Sequence, residues 1–591
     1  MSRIKLMDDL LANKIAAGEV VERCASVVKE LVENSIDAKA SEIRIELKEA
    51  GTKQIKVIDN GIGMDKEDAI MAFNRHATSK IKTEQDLFNI NTLGFRGEAL
   101  SSIASVSQVT LKTASEDVGT YVKIDGGQVV EVKATDARKG TMIEINNLFY
   151  NTPARLKHMK SFYTELASIT DYVDKIALSF PDIKFVLVNN DNVLLNTDGS
   201  GNLLKVIKNI YGVNVARKMV SIEGENNDYS IQGYMSFPEI HRSNRNAMIT
   251  LVNGRVVRNS ELNKVINDSY HSYKPDNRYP IVVLNIETDP TLIDVNIHPT
   301  KMDIKFSNME ELLHLVKTII TDQLHHMNHT PIIEATKTVV KDKVEQISLN
   351  LEREEKKEDT KEAYLLIDDD IPQKPLFEVK EEPIFYEKKE EKKEDSKFKE
   401  LYPVGLVHGT YIICQNEEGM TLIDQHAAKE RVNYEMYKYK LGHPNKNSIS
   451  LLVPFTIELS NNEFIILKEH FDILKQIGFE IEEFGVQSVI IKSHPTWLPK
   501  NYEKDAIHKI FEAIIAFEKN FTVEKFNESV ATMLSCKMAI KANQNISMEE
   551  MNQLINDLKK CDNPFHCPHG RPTMIFYSKY DLEKLFKRSG F

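Results

Sequence analysis

Three phrases, taken in order, decide the fold of the N-terminal half: Glu30-Leu31-Val32-Glu33-Asn34, Asp59-Asn60-Gly61-Ile62-Gly63-Met64 and Gly94-Phe95-Arg96-Gly97-Glu98-Ala99-Leu100. Around the first, Val27, Val28, Leu31, Val32 and Ile36 recur at helical spacing, which predicts an amphipathic helix over Ser26 to Ile36. Glu30 and Asn34 then share one face, a turn apart. A carboxylate there can orient and deprotonate a water. An amide oxygen one turn on can ligate Mg²⁺, which takes hard oxygen ligands and phosphate oxygens. Alone, such a pair is more often a solvated polar face, so the next two phrases carry the weight. Gln54-Ile55-Lys56-Val57-Ile58-Asp59 alternates and ends in an acid, as a strand feeding a loop does. Asp59 can accept from the exocyclic amine of adenine, and Gly61 and Gly63 let backbone approach the base. The plainer reading is an Asn-Gly turn. Gly94 to Leu100 opens an apolar helix with Leu100, Ile103 and Val106, and a glycine-rich turn there presents N–H groups to phosphate. No Gly-Lys-Ser/Thr follows, so it is not a Walker A loop. Asn74-Arg75-His76-Ala77-Thr78-Ser79-Lys80 lies between the glycine loops and is expected to be part of a lid over nucleotide.

Longer phrases accompany these: Ala12-Asn13-Lys14-Ile15-Ala16-Ala17-Gly18-Glu19-Val20-Val21-Glu22-Arg23 and Phe149-Tyr150-Asn151-Thr152-Pro153-Ala154-Arg155. With them the chain resembles the MutL family of DNA mismatch repair proteins. That family sits in a wider ATPase group with type II topoisomerases, histidine kinases and the heat-shock chaperone of the same ATP fold. The resemblance implies an α+β multidomain protein with an N-terminal ATPase α/β sandwich that uses ATP and Mg²⁺. Glu30 would be the general base for ATP hydrolysis and Asn34 the Mg²⁺ ligand. Asp59 and Gly63 would lie at adenine, supported by Thr141 after Gly140. Thr78, Gly94, Arg96, Gly97 and Leu100 would line the phosphates. Cys24 stands where the family usually has proline after Glu-Arg, which touches the helix start rather than the chemistry. Leu251-Val252-Asn253-Gly254-Arg255-Val256-Val257-Arg258 and Asp294-Val295-Asn296-Ile297-His298-Pro299-Thr300-Lys301 continue the resemblance into a second α/β lobe. Lys301 would reach the γ-phosphate. Thr300 replaces the usual alanine.

At 591 residues the chain exceeds one core, since a domain takes about 150 residues. The expected divisions are an ATPase domain over 1–205, a second transducer-like lobe over 206–334, a disordered charged linker over 335–398 and a C-terminal domain over 399–591. In the linker, Glu352-Arg353-Glu354-Glu355-Lys356-Lys357-Glu358-Asp359 and Glu387 to Asp395 are mixed charge that cannot bury enough apolar surface to offset ordering entropy. A net charge of −12 excludes a globally basic nucleic-acid binder, so DNA contact needs a local basic surface. Arg155, Lys157, Arg255 and Arg258 are candidates, although basic surface residues are usually just solvated. Five cysteines make no disulfide framework in a chain this size and fit a reducing cytoplasm. Neither a signal peptide nor a membrane span is read in the sequence.

Past the linker, Tyr411 to Cys414 and Met420 to Asp424 read as two strands around a turn, followed by Asp424-Gln425-His426-Ala427-Ala428-Lys429-Glu430-Arg431-Val432-Asn433-Tyr434-Glu435. His426 and Glu430 share a helix face, with Asp424 at the strand end. An imidazole and two carboxylates are plausible ligands for a divalent metal. Far away lie Cys567-Pro568-His569-Gly570-Arg571-Pro572 and the thiol of Cys536. Each piece alone occurs more often without metal than with it. The resemblance joins them. The phrases match the nicking MutL proteins without a gap, and MutL proteins that do not nick lack them. It therefore implies a dimerisation and endonuclease domain in which Asp424, His426, Glu430, Cys536, Cys567 and His569 hold Zn²⁺ or Mn²⁺, with Asp424 and Glu430 acting in cleavage. Cys561 and His566 fall outside the matched phrase and are not expected as ligands.

The resemblance also implies partners: DNA, a second copy of the chain, a MutS-family mismatch sensor and the replication sliding clamp, with nucleoid association during repair. The clamp peptide corresponds to Ser450-Leu451-Leu452-Val453-Pro454, where Leu452 and Pro454 are kept but serine replaces glutamine. The plain alternative there is a buried strand ending at a proline. The leading function is an ATP-driven switch linking mismatch recognition to nicking of one strand. A non-catalytic matchmaker with a structural zinc is the alternative for the C-terminal half, and a topoisomerase subunit is disfavoured.

Overall fold

Apolar residues on every second position of two neighbouring strands build the floor on which the first site stands. The computed structural model describes residues 21–80, 92–94, 97–136, 138–275, 278–294, 304–327, 399–443, 447–485, 487–500, 502–517, 521–538 and 544–588. The expected linker therefore lies outside the described residues, as do Arg96 and Lys301.

Helix α1 (Cys24–Asp37) buries Val27, Val28, Leu31 and Val32, the stripe that helical spacing predicts. It packs with α2 (Ala99–Ser105) and α3 (Phe162–Ser179). Beneath them lies an eight-stranded sheet of β1 (Glu42–Lys48), β2 (Gln54–Asp59), β3 (Gln108–Ala114), β4 (Gly119–Asp125), β5 (Gln128–Thr135), β6 (Gly140–Asn146), β7 (Lys184–Asn189) and β8 (Asn192–Asn196). Their order is β5-β4-β3-β6-β2-β1-β7-β8. In β2 the buried positions are Ile55, Val57 and Asp59. Side chains on a strand alternate between faces, so Asp59 continues an apolar row and is delivered into the core side of the sheet.

The second lobe is a five-stranded sheet of β9 (Met219–Glu225), β10 (Tyr229–Ser236), β11 (Met248–Val252), β12 (Arg255–Val257) and β13 (Val282–Thr288), ordered β12-β11-β13-β10-β9. β11 runs parallel to β13, with Thr250 opposite Leu284.

After residue 398 come β14 (Tyr402–Val407), β15 (Tyr411–Asn416) and β16 (Gly419–Asp424), joined at the far edge by β20 (Met574–Ser578). Helix α4 (Gln425–Gly442) leaves directly from β16 and packs on α5 (Val523–Lys537) and α6 (Met548–Lys560). A three-stranded sheet of β17 (Ser448–Glu458), β18 (Glu480–Glu483) and β19 (Ser488–Pro495) has β19 in the middle.

Candidate nucleotide pocket and candidate metal centre

The strand row that carries Asp59 inward sets it beside α1. One Asp59 oxygen, Oδ2, accepts from Ser35 Oγ at 2.8 Å. The other, Oδ1, accepts from the N–H of Gly61 at 2.9 Å and of Thr141 at 3.1 Å. Burial pushes this carboxyl above its ordinary range, against those three hydrogen bonds. Thr141 is further held through its hydroxyl, 3.0 Å from that of Thr113. Gly63 has φ +71°, and a Cβ there would lie 2.0 Å from the Ala114 carbonyl oxygen, so only glycine fits the turn.

On the same helix, Asn34, directly before Ser35, and Glu30, a turn before Asn34, lie half-buried. Asn34 Oδ1 accepts from Lys80 Nζ at 2.8 Å, and the same ammonium is 2.5 Å from Asp37 Oδ2. A cation thus already sits on the amide oxygen expected to ligate Mg²⁺. Asp37 does more: its Oδ1 accepts from the Leu93 N–H at 2.9 Å and its Oδ2 from the Gly94 N–H at 3.2 Å. The last helical residue of α1 therefore fixes the start of the glycine loop. Gly97 has φ +63°, with the Ala77 carbonyl 2.5 Å from where a Cβ would be, which draws that loop against Thr78.

The C-terminal cluster is assembled by α4. Asp424 caps that helix, its Oδ1 accepting from the N–H of His426 at 2.9 Å and of Ala427 at 3.0 Å. One turn on, Glu430 is 2 % exposed. Its Oε1 lies 3.3 Å from His426 Nε2. Its Oε2 lies 3.4 Å from His569 Nδ1 and 3.0 Å from an Arg571 nitrogen. The Cys536 thiol, at the end of α5, is 3.4 Å from His569 Nε2. Glu430, Cys536 and His569 each offer a ligand atom within 4.8 Å of the others. Burial alone would raise the Glu430 carboxyl, but His426, Arg571, His569 and a hydrogen bond from Cys567 outweigh it and hold it below the usual carboxylate range. Burial, with Glu430 beside it, pushes the Cys536 thiol up to about 11. Metal binding would be needed to draw off that proton at neutral pH.

The loop that brings Cys567 and His569 is held from α4 as well. Glu435 accepts from the backbone N–H of Asp562 at 2.5 Å and of Asn563 at 3.1 Å. Arg431 donates to the His566 carbonyl at 2.5 Å and lies 3.6 Å from Glu435. The loop closes on itself where Cys567 N–H donates to the Arg571 carbonyl at 2.8 Å, and leaves into β20 beside β16.

Three family descriptions match this chain. Residues 22–152 match "Histidine kinase-, DNA gyrase B-, and HSP90-like ATPase", 207–325 match "DNA mismatch repair protein, C-terminal domain", and 404–546 match "MutL C terminal dimerisation domain". The DNA mismatch repair protein MutL of Listeria innocua is 45% identical over 597 residues and 98% of each chain. That of Bacillus anthracis is 45% identical over 625 residues and the whole of both chains.

The chain belongs to the MutL family.

A solved Aquifex aeolicus MutL ATPase domain complexed with ADP is 24% identical, covers 50% of this chain and 98% of its own, and has a TM-score of 0.36. The family assignment rests on the full-length relatives and not on that likeness. This MutL chain carries an ATPase domain of the kinase, gyrase and chaperone type and a C-terminal dimerisation domain. Among the described residues no helix is long and apolar enough to cross a membrane.

Of the residues expected at nucleotide, Glu30, Asn34, Asp59, Gly63, Thr78, Gly94, Gly97, Leu100 and Thr141 are described, and Arg96 and Lys301 lie outside the described residues. Two residues carry more than the sequence suggested: Lys80, named only as part of a lid, and Asp37, not singled out. Of the six expected metal ligands, Glu430, Cys536 and His569 come together, with His426 against Glu430. Cys567 is buried beside them. Asp424 is instead engaged at the helix cap through Oδ1. Among the DNA candidates, Arg258 is exposed and Arg155 half-buried over the Phe149 ring at 6.0 Å. Arg255 requires a correction: it is 8 % exposed, with its guanidinium on backbone carbonyls, so it presents no charge to DNA. The clamp peptide is no buried strand. β17 slips register on β19 between Ser450 and Phe455, and Leu452 and Pro454 stand in solvent. A cavity of about 310 Å³ is lined by Lys29, Glu33, Leu93, Tyr172, Arg255 and Arg258, none of them an expected nucleotide ligand.

Proposed function

We propose that this MutL protein is an ATP-driven conformational switch that links mismatch recognition to metal-dependent nicking of one DNA strand. The observation that carries the nuclease half is the convergence of Glu430, Cys536 and His569 from α4, α5 and the 561–572 loop. The donor set fits a metal. A tetrahedral zinc with bonds of roughly 2.0–2.3 Å sets its donors roughly 3.3–3.8 Å apart; the thiol–imidazole separation here is 3.4 Å, and the three donors lie within 4.8 Å of one another, so the set would draw in slightly around an ion. Glu430, Cys536 and His569 would hold Zn²⁺ or Mn²⁺, with His426 and Cys567 adjacent. A metal so held supplies a Lewis acid and an acidified water for phosphodiester cleavage. Arg571 pairs with Glu430 at 3.0 Å, and Asp424, the cap of the same helix, is the second carboxylate proposed to act in cleavage.

In the ATPase half, Glu30 orients and deprotonates the attacking water, Asn34 would hold the Mg²⁺ that accompanies ATP once Lys80 gives up its amide oxygen, and Asp59 reads adenine. The family resemblance gives Lys301 the role of contacting the γ-phosphate and Arg96, with the glycine loop, the role of binding the phosphates. The segment 335–398 acts as the tether between ATPase and nuclease halves. Arg155 and Arg258 offer charge to DNA, the protein works as a homodimer, and the upstream partner is a MutS-family sensor. The exposed Leu452 to Pro454 bulge supports docking on the sliding clamp, through a motif weakened by Ser450. The setting is cytoplasmic and nucleoid-associated.

The test is relaxation of supercoiled plasmid with Mn²⁺ by wild type, Asp424→Asn and Glu430→Gln, with bound zinc measured in each. Nicked circles from wild type alone are expected. The engagement of Asp424 in capping gives the matchmaker reading a specific footing. If wild type keeps its zinc and its ATPase yet leaves plasmid intact even with sliding clamp present, the cluster is a structural zinc site and the nuclease half of the proposal falls.

A further inference from the structure

Arg255 opens β12 of the second lobe yet reaches into the ATPase domain. Its guanidinium donates to the Leu93 carbonyl at 3.3 Å and to the Thr92 carbonyl, the two residues before the glycine loop. On the other side of the same two peptides, the Asp37 carboxylate takes the N–H groups of Leu93 and Gly94. The turn that presents the arginine is itself fastened to α3. Ser179 Oγ donates to the Gly254 carbonyl at 2.7 Å. Gly254, at φ +79°, lies so close to the Phe180 ring that a Cβ would stand 2.8 Å from Cζ. Burial pushes the guanidinium's pKa down, against Glu33 and Asp37, but arginine remains charged in proteins. A buried cation drawn from another lobe onto two backbone carbonyls, with the carboxylates of Glu33 and Asp37 favouring its charge, makes sense where position matters more than stability.

We infer that Arg255 is a positioning residue for ATP hydrolysis: with Asp37 it clamps the Thr92–Gly94 backbone from both faces, and through it the second lobe sets where the phosphate-binding loop stands. Two consecutive peptide planes, Thr92–Leu93 and Leu93–Gly94, are each gripped by the Asp37 carboxylate on the N–H side and by the Arg255 guanidinium on the carbonyl side. Displacing either grip lets Gly94 drift from Asn34 and Lys80, and misplacement of a positioning element by an ångström can cost on the order of 100-fold in rate. Arginine suits the task because its rigid planar fork fixes the direction of both bonds at once, which the freely rotating ammonium of lysine does not.

This inference rests on the ATPase reading above. The experiment compares full-length wild type, Arg255→Lys and Arg255→Met for steady-state ATP hydrolysis, equilibrium binding of ADP, DNA affinity at fixed salt and hydrogen exchange at Leu93 and Gly94. For Arg255→Met the expected result is kcat lower by roughly 10- to 100-fold, ADP and DNA affinity within about twofold, and faster exchange at the two amides. Arg255→Lys should recover part of kcat. Equal kcat in all three proteins, or unchanged exchange at Leu93 and Gly94, overturns the clamp. A drop in DNA affinity with kcat intact overturns it too and restores the surface role. If wild type hydrolyses no ATP, the ATPase reading has failed, and exchange at the two amides still decides whether the clamp exists.

Discussion

The candidate nucleotide pocket and the candidate metal centre start from the same device, a pair of polar side chains four residues apart on one helix face, yet they are secured differently. In α1 the pair is Glu30 and Asn34, and its helix lies on an eight-stranded sheet whose β2 delivers Asp59 beside it. In α4 the pair is His426 and Glu430, and the partners arrive from the end of α5 and a loop over a hundred residues downstream. The first site has its carboxylates fixed by the fold itself. The second exists only while the 561–572 loop is held down. A site's chemistry can therefore be encoded locally while its assembly depends on remote, ordinary-looking contacts.

The largest effect expected from breaking this comparison is at Glu30. Replacing its carboxylate by an amide of equal size, Glu30→Gln, should lower ATP turnover by roughly 100- to 10,000-fold, the usual span for losing a general base. ADP binding should persist, since Asp59, Gly63 and Thr141 are untouched. Loss of binding together with turnover would assign Glu30 to holding the pocket's shape. Because the sheet and not Glu30 supports α1, the melting temperature should hold.

The unequal support explains what the sequence disclosed. Glu30, Asn34 and Asp59 were legible because helical and strand periodicities put them on known faces, and the family phrases then gave them roles. His426 and Glu430 were legible for the same reason. Lys80 on Asn34, Asp37 under Gly94, and Arg255 over Leu93 were not. Each acts on a backbone group or an amide far away in sequence, and no spacing rule records which carbonyl an arginine will find. Arg255 was read as surface charge because basic residues after a turn usually are. Asp424 sat at the expected strand end, but the order strand, acid, helix also describes a cap, and the carboxylate serves that purpose.

A middle-sized effect is expected at Glu435, which touches no proposed ligand. It holds the Asp562 and Asn563 amides and lies against Arg431, which in turn holds His566. Glu435→Ala should remove the acceptor of two backbone amides and the carboxylate beside Arg431, and loosen the loop that carries Cys567 and His569. Outer partners of this kind cost about 10- to 100-fold in metal affinity or activity when removed. Zinc retained after dialysis against a competing chelator should therefore fall, while ATP turnover stays at the wild-type rate. Unchanged zinc retention would mean the loop is fixed by its own Cys567–Arg571 closure and β20 pairing, and that the contrast between the two sites is weaker than drawn.

The smallest effect is one of pH, and it tests the firmer site. Burial raises the folded-state pKa of Asp59 above its ordinary value of 3.8, against its hydrogen bonds from Gly61, Ser35 and Thr141. An acid raised on folding binds its proton more tightly folded than unfolded. It therefore subtracts nothing below the unfolded pKa, and its penalty grows through the window up to the folded pKa and is complete above it. Asp59→Asn removes that titration while keeping the shape. The amide oxygen can still accept from Gly61 and Thr141, and its NH₂ can donate to Ser35 Oγ, whose own proton then goes to the Leu31 carbonyl at 3.1 Å. In nucleotide-free full-length protein, urea unfolding followed through the ATPase domain should show the variant slightly more stable than wild type at pH 7. That margin should shrink towards zero as the pH falls to the ordinary aspartate range. A variant less stable at pH 7 than at pH 4, each relative to wild type, would mean the charge itself strengthens the Gly61 and Thr141 bonds by more than burial costs. The rigidity of this pocket would then come from Asp59 as much as from the sheet beneath it.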